Sequence, residues 1–264
     1  MKTKLLITII GTVLVILALF GVFVHFYYSP AKEIKSFVIK HHDDDTIRIA
    51  FLGDSWAFFH KHHTCKMDSI IKSKTCQPVK VMSEGACGAT SKLIYNRFEA
   101  NGNIHRILKE GPDYCIIAAG VNDTHLKIGK LYYLANMKLI LNFLIQNRIK
   151  PIILEIPNYD IYKIYNEINP LKKLLRHFSM VYTRSRMDCR DDYRQALRVM
   201  LQENFPSQSI ILIKYDDWNS DAYNDIDSLY REDRIHLNDK GYNVLDSYIS
   251  TQITSNYIQY ESNL

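Results

Sequence analysis

The chain has 264 residues, 47% hydrophobic and 23% charged, which is ordinary globular composition with room for one sizeable α/β domain and an appendage, and it excludes a disordered or fibrous chain. Its net charge of +5 is spread along the sequence, and no RNA- or DNA-binding motif accompanies it. A nucleic-acid partner is therefore set aside in favour of a mildly basic surface that could face anionic lipid or glycan. The five cysteines are odd in number and include no CxxC pair, so they do not define a compartment.

From Leu5 to Tyr28 there is no Asp, Glu, Lys or Arg. At about 1.5 Å per helical residue this stretch can cross a hydrocarbon core of roughly 30 Å. Residues 1–28 therefore read as an N-terminal transmembrane signal anchor, with Phe26-Tyr27-Tyr28 as an interfacial aromatic belt. Ser29-Pro30-Ala31 is a weak small-residue site at which the segment could instead be cleaved. Lys2 and Lys4 precede the span, and Lys32, Lys35 and Lys40 follow it. The expected arrangement is a short N-terminus inside and the globular domain outside the cytoplasm. Residues 29–45, ending in His41-His42-Asp43-Asp44-Asp45, read as a polar juxtamembrane linker, a solvated run without metal-site geometry. The globular domain is expected over 46–264.

Within it, Ile47 to Leu52 is a mostly apolar run that reads as a buried strand and stops at Gly53-Asp54-Ser55. A helical stretch follows, from about Ala57 to Ser73. A serine there sits at the C-terminal end of a strand, where open α/β sheets carry ligands and chemistry, and at a helix N-terminus, whose free N–H groups favour an oxyanion. The same triplet also reads as a turn with Ser as N-cap. His60 and His63 share a helix face, but the spacing supplies no further metal ligands, and an exposed basic face is the expectation. Cys65 and Cys76 could pair in an exported domain, whereas Cys115 lies in an apolar strand as a buried thiol.

Val79 to Met82 is expected as the second strand, running into a Gly-containing loop, Ser83 to Ser91, that allows a tight turn and close approach of backbone to ligand. Pro112 to Ala119 is expected as the third strand, followed by Gly120-Val121-Asn122-Asp123. The Asn122 amide can donate to an oxyanion or simply close a turn. Asn122-Asp123-Thr124 also fits a glycosylation acceptor, which is discounted beside the presumed site. Leu131 to Arg148 reads as a helix, Pro151 to Ile156 as the fourth strand, Ser209 to Tyr215 as the fifth, and Asp239 to Ile258 as a terminal helix. Ahead of that helix, Asp233 and His236 stand three residues apart, a spacing at which a carboxylate can hold an imidazole as general base.

Taken together, Gly53-Asp54-Ser55, Gly88-Ala89-Thr90-Ser91, Gly120-Val121-Asn122-Asp123 and Asp233-Arg234-Ile235-His236 resemble, in order, four blocks of the SGNH/GDSL hydrolase family. The residue after Ser55 is Trp56 in place of the family's leucine, and the G-x-S-x-G elbow of ordinary α/β-hydrolases is absent. The resemblance covers roughly residues 46–258. It implies a three-layer α/β/α fold around a mostly parallel five-stranded sheet, flavodoxin-like in arrangement. It also implies Ser55 as nucleophile, His236 as base, Asp233 as its orienter, and an oxyanion hole of Ser55, Gly88 and Asn122. Such chemistry needs no metal or organic cofactor. The expected activity is hydrolysis of a carboxylic ester, O-acetyl or short acyl, on a small molecule, glycan or lipid, with acyl transfer to a sugar hydroxyl as the alternative.

The connection from Asn158 to Phe205 is far longer than an ordinary loop and is expected to cap the Ser55 pocket. Arg186, Arg190, Arg194 and Arg198 recur at four-residue spacing. They are read either as a solvated face or as a basic stripe in which Arg190 and Arg194 contact an anionic substrate.

Overall fold

The computed structural model of the chain describes residues 2–35, 37–206, 210–218 and 222–261. Two compact units result, Met1–Pro30 and Ala31–Leu264. The first is a single helix, α1 (Lys2–Tyr28). Its segment Ile9–Tyr28 has a mean hydropathy of 2.6 and is apolar and long enough to cross a membrane, a property that a signal sequence shares.

In the second unit the apolar run after Thr46 forms β1 (Ile47–Gly53), whose residues are buried almost throughout because helices cover both faces. The chain continues through α2 (Ser55–Lys61), α3 (Met67–Thr75), β2 (Val79–Gly85), α4 (Ser91–Glu99), α5 (Asn103–Lys109) and β3 (Tyr114–Ala118). It then forms α6 (Val121–Leu126), α7 (Lys130–Gln146) and β4 (Lys150–Leu154). The long connection contains α8 (Ile161–Glu167), α9 (Pro170–Thr183) and α10 (Arg190–Asn204). After it come β5 (Ile211–Ile213), α11 (Tyr215–Trp218), α12 (Ala222–Leu229) and α13 (Asp239–Glu261). The expected start of the last strand at Ser209 lies outside the described residues.

The strands lie in the order β2-β1-β3-β4-β5, and every ladder is parallel. This is a three-layer α/β/α fold whose strand order reverses beside β1. A crevice opens at the carboxyl ends of β1 and β3, which is where such sheets bind ligands. Phe51 and Leu52 on β1, Ile116 and Ile117 on β3, and Ile152 and Ile153 on β4 are fully buried and form the middle of the core.

Three expectations change. The stretch from Ala57 to Ser73 is two helices, because α2 stops after Lys61 and the chain restarts at Met67. The segment read as a polar linker is a strap on the second unit. Ala31 N–H donates to Asn136 Oδ1 at 2.8 Å and Ile34 N–H to the Tyr95 hydroxyl at 3.2 Å. Phe37 packs against Phe143 with ring centroids 5.2 Å apart, and Ile39 joins the core. Burial of Ile39 and partial burial of Ile34 and Phe37 bind it in spite of its polar neighbours, while Val38 stays exposed. Finally, Cys65 and Cys76 are free thiols. The nine residues of α3 separate them, about 13 Å of helix, against the 4.4–6.8 Å between Cα atoms that a disulfide needs.

Candidate active site

Ser55 is the first residue of α2, directly after β1. Asp54 caps that helix by accepting the Trp56 N–H at 2.9 Å. Asp54 is fully buried, and its Oδ2 has no hydrogen-bond partner among the described residues. Burial, with a contribution from the nearby Asp123 carboxyl, pushes its pKa up to about 7. Asp123 is raised to about 6, again by burial, although it accepts from Ser91 N at 2.9 Å and Ser91 Oγ at 2.6 Å. Two carboxyl groups thus sit under the turns that carry Ser55 and Asn122, in a setting that favours their neutral forms.

His236 comes from a loop closed by an antiparallel bridge between Tyr230 and Leu237 and by Arg231 N–H donating to His236 O at 2.8 Å. Within it, Asp233 Oδ1 accepts from Ile235 N–H at 2.8 Å and from His236 N–H at 2.9 Å, while Oδ2 lies 2.8 Å from His236 Nδ1. Burial works against the Asp233 carboxylate, but these hydrogen bonds from His236 and Ile235 hold its pKa below the usual value. The loop is braced to the Ser55 helix, since Trp56 Nε1 donates to Ile235 O at 3.1 Å. Phe59 packs edge-on against the imidazole, with ring centroids 4.6 Å apart.

His236 Nε2 lies 2.8 Å from Ser55 Oγ. With Nδ1–H donating to the anionic Asp233, Nε2 is left as an acceptor for the hydroxyl proton, the arrangement a serine nucleophile requires. Both groups line a cavity of about 190 Å³ together with Gly88, Asn122, His125 and Tyr159. Gly88 has φ +76°, the left-handed region that favours glycine. Asn122 Nδ2 donates to Ala89 O at 3.0 Å, which fixes the amide and leaves its second hydrogen available. The structure therefore brings Ser55, Asp233, His236, Gly88 and Asn122 to one place.

Arg190 and Arg194 do not line that cavity. Arg190 is paired with Asp188 at 2.5 Å and donates to Tyr159 O at 2.5 Å. Arg194, only 6% exposed, donates to Ile156 O at 2.7 Å, pairs with Asp191 and stacks on Tyr215. Arg198 makes a bidentate pair with the buried Glu155 at 2.5 and 2.7 Å, and Arg186 lies before the helix and pairs with Asp192. The basic-stripe reading is thus dismantled: each guanidinium has a nearby carboxylate, and Arg190, Arg194 and Arg198 fasten α10 to the segment that ends and follows β4.

The sequence reading also passed over His125, which lies one turn beyond Asn122 on α6, in reach of the same cavity. Arg176 of α9 donates to its Nε2, so the proton resides on Nδ1. Burial first, and then the charges of Arg176, Lys127 and Lys172, lower its pKa to about 3 and keep it a neutral donor. His60 is not on an exposed basic face. It is 1% exposed, bonded to Ser83 Oγ at 2.7 Å and to Asp246 Oδ1 at 2.8 Å. With Cys65 these groups place three potential metal-ligand atoms within 4.8 Å of one another, but the histidine's nitrogens are already hydrogen-bonded.

The fold and the sequence family define an ester-acting hydrolase. Residues 51–244 match the GDSL-like lipase/acylhydrolase family, and the chain belongs to it. No curated protein sequence matches the chain. Solved structures similar in fold include a GDSL-like lipase from Bacteroides thetaiotaomicron, with 16% identity over 80% of this chain and 89% of that one and a TM-score of 0.52. A lipase/acylhydrolase from Enterococcus faecalis is 17% identical over 79% and 96%, with a TM-score of 0.52. A psychrotrophic esterase from Pseudoalteromonas sp., inhibited by monoethylphosphonate, is 14% identical over 81% and 100%, also with a TM-score of 0.52.

Proposed function

We propose that this chain is a membrane-anchored serine esterase that hydrolyses short-acyl esters through Ser55, His236 and Asp233. The observation that carries the reading is the continuous relay of 2.8 Å contacts from Ser55 Oγ through both His236 nitrogens to Asp233 at the wall of a cavity. His236 takes the Ser55 proton as Oγ attacks the ester carbonyl, and Asp233 holds the imidazole and stabilises the imidazolium. The N–H groups of Ser55 and Gly88 and the Asn122 amide receive the oxyanion, and water releases the acid from the acyl-enzyme. A cavity of about 190 Å³ is smaller than the usual 300–1,000 Å³ of drug-sized ligand sites, which favours a short acyl group with the alcohol portion outside. Segment Ile9–Tyr28 holds the domain at a membrane, outside the cytoplasm.

The test is to treat the full chain in detergent with a fluorophosphonate, locate the adduct by peptide mass, and follow aryl esters of increasing acyl length. The expected result is one adduct, on Ser55, and faster turnover of acetyl than of octanoyl esters. An adduct elsewhere would remove the mechanism, and a preference for long chains would remove the acyl assignment. Adding sugar acceptors to the same assay separates release of acid from acyl transfer.

A further inference from the structure

Helix α9 is built inside out. An amphipathic helix on a water-soluble body turns its apolar stripe to the core. In α9 the residues that face inward are polar: Arg176 and Ser179 are buried, Arg176 reaches His125, and Thr183 Oγ1 donates to Lys127 O at 3.1 Å. The apolar residues Leu171, Leu174, Leu175, Phe178, Val181 and Tyr182 recur at i, i+3, i+4, i+7, i+10 and i+11, on one face, and are 38–67% exposed. A contiguous apolar patch of this kind marks an interaction surface. The helix is also cationic: it carries Lys172 and Lys173 outside that stripe, Lys173 over the Tyr165 ring, Arg184 follows it, and Pro170–Thr183 contains no Asp or Glu.

We propose that this face of α9 docks in the interfacial layer of an anionic lipid bilayer. Leucine and aromatic side chains enter the boundary between headgroups and acyl chains, and the flanking lysines and arginine meet anionic headgroups, the chemistry of an in-plane amphipathic helix. A protein partner would use the apolar stripe equally well, but the one-signed charge of α9 and the membrane-length apolar segment in the same chain favour lipid. Because Arg176 on the inner side of α9 holds His125 in the cavity wall, docking places the Ser55 cleft beside the lipid surface and directs the enzyme to esters presented there. The proposal rests on reading α1 as a membrane anchor, and the experiment tests the two separately.

The full chain is reconstituted into vesicles of phosphatidylcholine with a minority of phosphatidylglycerol. Flotation with the vesicles reports on α1. Docking is read from Leu174→Trp fluorescence in bromine-labelled against unlabelled lipid, over the background of the buried Trp56 and Trp218. The expected result is loss of about half the added tryptophan signal to bromines near the headgroup region. In the background of Val181→Glu with Leu175→Glu, the docked fraction should fall at least about tenfold, since two apolar side chains of the docking face become carboxylates that anionic lipid repels. That pair should leave flotation and hydrolysis of a soluble aryl acetate unchanged. An added tryptophan that bromolipid fails to quench overturns the docking surface, whether or not the chain floats, and assigns the face to a protein surface. Quenching that persists in the double-glutamate background overturns it equally, because the signal would then arise without the apolar face.

Discussion

Gly85 ends β2 opposite Gly53 of β1, and it touches the backbone that carries the nucleophile. A Cβ at Gly85 would lie 2.2 Å from Asp54 O and 2.4 Å from Phe58 N, the two atoms that form the first hydrogen bond of α2 at 3.1 Å. Neither is the free end of a side chain, so relief requires roughly 1 Å of relative movement between the end of β2 and the first turn of α2. Ser55 sits in that turn. Gly85→Ala should therefore cost about 1–3 kcal/mol in stability as an overpacking change, and a misplacement of the nucleophile by about 1 Å should lower kcat by around 10²-fold. KM for a small aryl ester should change less than kcat, because Tyr159, Ile164 and Val121 in the cavity wall belong to other segments, while Gly88 and Phe59 move with the perturbed backbone. Steady-state kinetics with an aryl acetate, alongside a thermal melt, reads both quantities. Full kcat in a variant whose melting point has fallen would refute the link between this contact and the placement of Ser55.

Other expectations concern the charges inside the fold. Arg198→Met leaves the buried Glu155 carboxylate without its bidentate partner. Removing one member of a buried pair costs about 3–5 kcal/mol, less here because Arg198 is 39% exposed, so a loss of about 2 kcal/mol and a fall in Tm of roughly 4–8 °C are expected. Arg190→Gln and Arg194→Gln should likewise lower Tm while leaving KM unchanged for neutral and anionic esters alike. A selective rise in KM for the anionic ester would return these arginines to the substrate site. Asp54 has a folded pKa raised from 3.8 to about 7, so the folded state binds the extra proton in that window. Its contribution to stability is complete below pH 4 and is lost as pH rises through 7. Asp54→Asn should flatten the decline of Tm between pH 5 and 7.5, and an undiminished slope would place the titrating group elsewhere.

Much of this architecture can be read from residue order. The apolar runs of β1, β3, β4 and β5 mark those strands because parallel strands covered on both faces must be apolar nearly throughout, whereas the edge strand β2 alternates and carries Lys80; the short polar turns after Leu52 and Ala119 mark the ends where the site lies. The sequence pattern ends the second strand at Met82, since Ser83-Glu84-Gly85 looks like a turn. It extends to Gly85 because pairing with β1 satisfies the backbone whatever the side chains are. The strap over 31–45 is hidden for a similar reason: its few apolar residues stand in a polar stretch, and only the surface they meet shows that Phe37 and Ile39 pack while Val38 between them does not. For the site, Ser55, Asn122 and the Asp233–His236 pair were legible as polar residues at strand ends and in a short loop. The arginines misled because four-residue spacing reports a shared helix face and says nothing about what lies opposite, here Tyr159 O, Ile156 O and the buried Glu155 carboxylate at and beyond the end of β4. His125 was missed because its role depends on Arg176, fifty-one positions away.

The central claim is that Ser55 and His236 act as one unit. The most direct measurement is kcat/KM for a soluble aryl acetate with the full chain, Ser55→Ala, His236→Ala and the double variant, each checked for unchanged melting. Each single change should reduce turnover by about 10⁴–10⁶-fold, and the double variant should fall no further than the worse single. Losses that multiply in the double variant, or substantial turnover by Ser55→Ala, would contradict the relay.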